Sequence, residues 1–277
     1  MAKWFNKPQT YQICKGSAMN TERTALVTGS SSGIGRGIAK ILLQNGYQVI
    51  LHGIEPQEQV KSLIDYLSSL GKVLGYYSVD VSNAQAIEKF SNDLKASDVV
   101  VDILVNNAGI QHVAPIHEFL PLQWNQILAV NLSSAFHFMR LLLPQMQEKK
   151  WGRIINIASC HGLVASANKA AYVASKHGIV GLTKVAALEN ATKGVTCNAI
   201  CPGWVLTPLV QTQIEKRAAE QGISVDLAKS TLLKEKQPTG HFVTAEEIGE
   251  FVLFLCQSSA SQINGATLSM DGGWTAQ

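Results

Sequence analysis

Along the chain, short apolar runs alternate with longer segments in which apolar positions recur every three or four residues. The runs Ala25–Thr28, Gln48–His52, Val73–Ser78, Ile103–Val105, Ile154–Ala158, Thr196–Ile200 and Thr267–Met270 read as strands. Ile34–Gln44, Ala84–Leu94, Leu122–Gln147, Ala170–Asn190 and Ala245–Cys256 read as helices. Runs such as Ile154-Ile155-Asn156-Ile157 barely alternate, as expected of strands covered by helices on both faces. The rhythm therefore predicts an α/β fold: one doubly wound, parallel, seven-stranded sheet with helices on both faces. One stretch departs from it. Between Pro208 and Pro238 lies a polar segment rich in Lys and Glu, longer than a connection needs, which reads as a solvated helical pair or as a small helical lid over a site.

The length of 277 residues leaves one large domain or two small ones open, and 46% hydrophobic against 16% charged residues excludes a disordered or fibrous chain. Residues 1–21 lack the apolar run of a secretory signal and read as an extension, natural or a cloning remnant, with Met19 as an alternative start. The domain proper is then 22–277. A formal charge of +3, with neither sign gathered into a block, argues against nucleic acid or an anionic membrane as partner. The apolar stretch Phe251–Cys256 falls far short of the roughly 20 residues that span a bilayer, and no transmembrane segment is expected. Five scattered cysteines without a C-x-x-C pair suit free thiols and a reducing, cytoplasmic compartment. Cys197 and Cys201 share a strand face as small buried hydrophobes, and no ligand-spaced cluster predicts a metal.

The first strand runs into Gly29-Ser30-Ser31-Ser32-Gly33-Ile34-Gly35 and then a helix. Glycines there permit a tight turn and close approach, so that N–H groups at the helix start can hold a pyrophosphate. The second strand ends in His52-Gly53-Ile54-Glu55, without the Asp expected for an NAD ribose and without a cation before Lys61, so NAD is favoured by exclusion. Asp80, after the third strand, is placed to accept from an adenine amino group or to cap the next helix. Asn106-Asn107-Ala108-Gly109 closes the fourth strand with small residues. Ser159 follows the fifth, and Tyr172 and Lys176 lie one turn apart on the next helix. For tyrosine to act as acid and base at neutral pH, its ionisation must fall by about three units, or roughly 4 kcal/mol. A Lys176 ammonium and an oxidised nicotinamide would favour the phenolate, and Ser159 would stabilise charge on a substrate oxygen.

The glycine turn, Asn106-Asn107-Ala108-Gly109, Asn131, Ser159, Tyr172-x-x-x-Lys176 and Pro202-Gly203, in that order, resemble the short-chain dehydrogenase/reductase family over residues 22 to 277. The resemblance implies a Rossmann-type sheet ordered 3-2-1-4-5-6-7, a homotetramer, and a catalytic tetrad of Asn131, Ser159, Tyr172 and Lys176. Asn131, on a helix, would hold a water in the proton relay. NAD contacts are implied at Gly29, Ser31, Ser32, Gly33, Ile34, Gly35, Asp80, Val81, Asn107, Ala108, Gly109, Tyr172, Lys176, Pro202, Gly203, Val205 and Thr207. Gln111-His112, Ser159 to Ser166, Asn168-Lys169, Cys201 to Pro208 and Met270 to Trp274 resemble most the branch that oxidises (R)-3-hydroxybutyrate to acetoacetate. By that likeness Gln111, Ser159, His161, Lys169, Tyr172 and Gln213 would bind the carboxylate and oxygen of a small hydroxy or keto acid, while Trp204 and Trp274 would line its methyl end. A reductase of acetoacetyl-CoA, a polyol or another carbonyl, and an idle NAD-binding regulator, are the alternatives.

Overall fold

A computed structural model of the chain describes residues 23–276; the expected N-terminal extension, and Cys14 within it, lie outside the described residues. Seven parallel strands, β1 (Thr24–Val27), β2 (Gln48–Gly53), β3 (Val73–Ser78), β4 (Ile103–Asn106), β5 (Gly152–Ile157), β6 (Val195–Pro202) and β7 (Thr267–Met270), form one sheet in the order β3-β2-β1-β4-β5-β6-β7. The expected α/β class, strand number and order are those observed.

The near-continuous apolar runs have a plain cause. In β1, Leu26 enters one core while Ala25 and Val27 enter the other; in β4 Leu104 and its neighbours Ile103 and Val105 divide in the same way. Helices α1 (Gly33–Gln44), α2 (Lys61–Ser68) and α9 (Ala245–Cys256) cover one face, and α3 (Ala84–Ala96), α5 (Ser134–Glu148) and α6 (Ala170–Asn190) cover the other. Cys197 and Cys201 do lie on one face of β6, in the second of these cores. Among the described residues no group of His, Cys, Asp or Glu is arranged to hold a metal.

The helical expectations need one correction and one refinement. The sequence reading missed α2, whose short amphipathic run hides behind polar neighbours. The single helix expected over Leu122–Gln147 is present as one run, Pro121–Glu148, whose α4 (Pro121–Leu128) and α5 segments are joined by a π-turn at Ala129–Ser133 that the spacing did not show. Such a turn commonly marks a functional site, and here it carries Asn131. Taken together, Pro121–Glu148 is long and apolar enough to cross a membrane by length and composition, a point the sequence reading overlooked. Its apolar side, however, is spent on the core through Val130, Ala135, Phe138, Leu142 and Met146.

The polar insertion forms α7 (Pro208–Gln221) and α8 (Val225–Lys236), which build a small core of their own from Val210, Ile214, Ala218 and Ala228, with Trp204 packed against it. Gln237 fastens both ends of this pair: its Oε1 accepts from the Trp204 N–H at 2.8 Å, while its amide nitrogen donates to the His241 carbonyl.

Candidate active site

Strand order reverses between β2-β1 and β4, which opens a crevice at the carboxyl ends of the strands. The sequence closes that end tightly. The Thr28 hydroxyl accepts the N–H groups of Asn107 (2.9 Å) and Ala108 (3.0 Å), and the Asn107 amide donates to the carbonyls of Thr28 (2.9 Å) and Gly29 (3.0 Å). Gly29 adopts φ +64°, and a Cβ on Gly35 would lie 2.2 Å from the Gly29 oxygen, so only glycine fits there. Gly35 thus shapes the turn without lining the crevice.

His52 joins three strand ends beneath the crevice. Its Nδ1 accepts the Gly29 N–H at 3.0 Å, which leaves the proton on Nε2 to donate to the Val79 carbonyl at 3.0 Å. Burial pushes this imidazole down to about 4, so it stays neutral and keeps both bonds. Helix α1 begins behind Ser32 with no side-chain cap and no acidic residue in its first turn. Its free N–H groups lie at the wall of a cavity of about 340 Å³ lined by Gly29, Ser31, Ser32, Gly33, Ile34, Asp80, Val81, Asn107, Ala108, Gly109, Tyr172, Lys176 and Thr207. Asp80 accepts from the Ser82 N–H at 2.9 Å but does not cap α3; Asn83 does, accepting from Gln85 and Ala86.

A second cavity, of about 100 Å³, continues from the first past Ile34, Ala158, Tyr172 and Thr207. Ser159, His161, Lys169, Gln111, Trp204 and Trp274 line it. So do Pro202, Gly203 and Val205, which the structure places here and not along the larger crevice. Ser159 starts a tight turn, accepting the His161 N–H at 3.2 Å, with its hydroxyl 3.4 Å from His161 Nδ1. The His161 ring bonds Ser166 at 2.9 Å and packs edge-on against Trp274, with centroids 5.3 Å apart. Trp274 in turn lies 5.5 Å from Trp204. Gln213, on the lid, does not line this cavity but touches its wall, its amide donating to Gln111 Oε1 at 3.5 Å; among the described residues the buried Gln111 Nε2 has no partner. The buried Trp204 Nε1 is likewise unpartnered.

Burial pushes the Tyr172 phenol up to about 12 and brings Lys176 down to about 8; the fall that acid–base chemistry needs is expected of the Lys176 charge together with an oxidised nicotinamide. The Lys176 ammonium donates to the Ile157 carbonyl at 2.7 Å and lies 5.6 Å from the Tyr172 ring, so it does not bond the phenol. Burial also brings His161 down to about 4, aided by the charge of Lys169. Lys169 makes no ion pair among the described residues; its ammonium sits 5.1 Å over the Trp204 ring and is the positive charge at this cavity. Asn131, 2% exposed in its π-turn, accepts from the Ile110 N–H at 2.8 Å and donates to the Ile110 carbonyl at 2.9 Å and to Ser175 at 3.3 Å. It pins the loop after β4 to α6.

The sequence profile of the short chain dehydrogenase family matches residues 23–218. The chain belongs to that family. Among curated relatives, the D-beta-hydroxybutyrate dehydrogenase of Cupriavidus necator is 56% identical over 92% of this chain and 98% of its own. The enzyme of the same name from Rhizobium meliloti is 47% identical over 92% and 99%. A solved actinorhodin polyketide ketoreductase variant with NADPH superposes with a TM-score of 0.87 at 32% identity, covering 94% of this chain and all of that one.

As a member of this family the chain presents a crevice that fits a nicotinamide dinucleotide: uncapped helix N–H groups, a glycine turn closed to any Cβ, and an elongated cavity running to the Tyr172 side. The sequence reading missed Thr28, His52, Tyr76 and Gln237, which act by bonding backbone and carry no motif. It also set Glu55 aside, although Glu55 lines the crevice.

Proposed function

We propose that this chain catalyses the reversible oxidation of (R)-3-hydroxybutyrate to acetoacetate with NAD. The observation that carries this reading is the small second cavity, whose described lining brings one lysine, Lys169, and the amide of Gln111 together with Ser159 and Tyr172. A volume of about 100 Å³ suits a four-carbon acid. The nicotinamide, when bound, supplies the hydride acceptor.

Tyr172 Oη takes the proton of the substrate hydroxyl, and Ser159 Oγ donates to the same oxygen. Lys176 Nζ carries the charge that favours the phenolate, moving from the Ile157 carbonyl to do so, and Asn131 holds the backbone beside it for a water relay. Lys169, with Gln111, His161 and Gln213, holds the carboxylate; Trp274 and Trp204 wall the methyl end. Neutral His161 contributes a hydrogen bond and no charge. Thr207 lies at the junction of the cavities, and Pro202, Gly203 and Val205 line the smaller one, where they would meet the nicotinamide end of the cofactor.

The rest of the reading is proposed with it: a single dehydrogenase domain over 22–277 with a lid at about 208–238, a homotetramer, and a cytoplasmic setting suited to free thiols at Cys160, Cys197, Cys201 and Cys256. Neither nucleic acid nor membrane is proposed as a partner. The test offers purified protein and NADH a panel of acetoacetate, acetoacetyl-CoA and a ketose. Loss of NADH with acetoacetate far above the others is expected; preference for the thioester or the sugar would overturn the substrate assignment.

A further inference from the structure

In doubly wound dinucleotide folds the acid that accepts from the adenosine ribose stands near the end of the second strand. Here β2 ends in His52-Gly53, and neither side chain is acidic. The space beside Gly53 is nevertheless filled. A Cβ built on Gly53 would meet the Tyr76 hydroxyl first, and would lie 2.6 Å from Glu55 Oε2 and 3.1 Å from Ser31 Oγ. A carboxylate from two residues downstream has folded back into the place that a side chain on the last strand residue would take, beside the glycine turn.

We propose that Glu55 is the residue by which this chain selects NAD over NADP, its carboxylate accepting from the adenosine ribose hydroxyls and repelling a phosphate on the 2′ position. The reading rests on the larger crevice being the dinucleotide site.

Three observations support it. The carboxylate is held in place: the Ile54 N–H donates to Oε2 at 3.1 Å, and the Tyr76 hydroxyl, from β3, donates to the Glu55 carbonyl at 2.8 Å and to Oε2 at 3.4 Å. It stands at the crevice wall with Ser31, Gly53, Ile54 and Asp80. Among the described residues lining that crevice the cation is Lys176, which belongs to the Tyr172 side, and none of them is a Lys or Arg at the Glu55 end to receive a 2′-phosphate. Burial works against ionisation of Glu55, but hydrogen bonds from backbone, Ser31 and Tyr76 outweigh it and keep its carboxyl below the usual range.

The experiment is equilibrium binding of NADH and NADPH to the full chain, read by nucleotide fluorescence, for wild type, Glu55→Gln and Tyr76→Phe, with circular dichroism as the check of fold. Wild type should bind NADH at least about tenfold more tightly than NADPH, the scale of one charge-assisted hydrogen bond. Glu55→Gln should narrow that ratio by about tenfold, losing NADH affinity while gaining NADPH affinity. Tyr76→Phe leaves the charge but loosens it, and should narrow the ratio less. A ratio unchanged within twofold in folded Glu55→Gln, or a wild type that prefers NADPH, overturns the proposal while leaving the crevice a dinucleotide site. Failure of wild type to bind either nucleotide overturns the crevice reading and this proposal together.

Discussion

Tyr172 begins from an unfavourable state, its phenol held near 12 by burial with the Lys176 ammonium turned to the Ile157 carbonyl. Proton uptake by Tyr172 therefore makes oxidation faster as pH rises and reduction faster as it falls, and opposite slopes in the two directions are the expected pH profiles. Removing the hydroxyl with Tyr172→Phe should cost about 10²-fold or more in turnover while NADH binding survives, measured by steady-state rates beside fluorescence titration. Lys169→Met removes the positive charge of the substrate cavity; KM for the acid should rise about tenfold or more, and a neutral ketone should be unaffected. His52 and His161 are held near 4 against 6.5 when unfolded, so the unfolded chain binds more protons between those values. Their contribution to stability is full above pH 6.5 and is lost as pH falls toward 4, by up to roughly 1.4 kcal/mol per unit for each. Thermal unfolding across that window should show the slope, and His52→Asn should flatten it.

At the scale of elements, the glycine turn and α1 act as one device, because the Gly29 carbonyl is clamped by Asn107 and the space above it is closed by Gly35. Gly35→Ala should force the turn open and abolish dinucleotide binding in a chain whose sheet remains folded, as circular dichroism and NADH titration would report. This device was legible in the sequence because glycines and a strand-to-helix switch are local. The clamp was not legible: Thr28, Asn107 and His52 meet only when β1, β2 and β4 are side by side, and bonds to backbone leave no motif. The π-turn was hidden for a related reason, since its apolar residues keep a helical spacing and only the backbone bonding of Ala129–Ser133 reveals the extra residue. The lid could be read as a helical insertion, but its fastening by Gln237 joins Trp204 to His241 and lies beyond any periodicity.

For the whole molecule, a parallel sheet with a core on each face followed from the alternation of runs, whereas the strand order came only from the family resemblance, because periodicity does not say which strands are neighbours. Assembly is the least local property. Phe136 on α5 and Val185 and Leu188 on α6 are 47%, 50% and 80% exposed, which supports these helices as the interface between copies. Sedimentation should find a tetramer, and Leu188→Glu should shift it toward smaller species; a fully active wild-type monomer would contradict that expectation. Function resides in what the two joined cavities do together. Its most direct test is the appearance of reduced nicotinamide absorbance when the protein is mixed with NAD and (R)-3-hydroxybutyrate, beside the (S) enantiomer. Rapid reduction with the (R) acid and almost none with the (S) acid is the predicted result; no reduction with either, while another hydroxy acid or a CoA ester is oxidised, would contradict it.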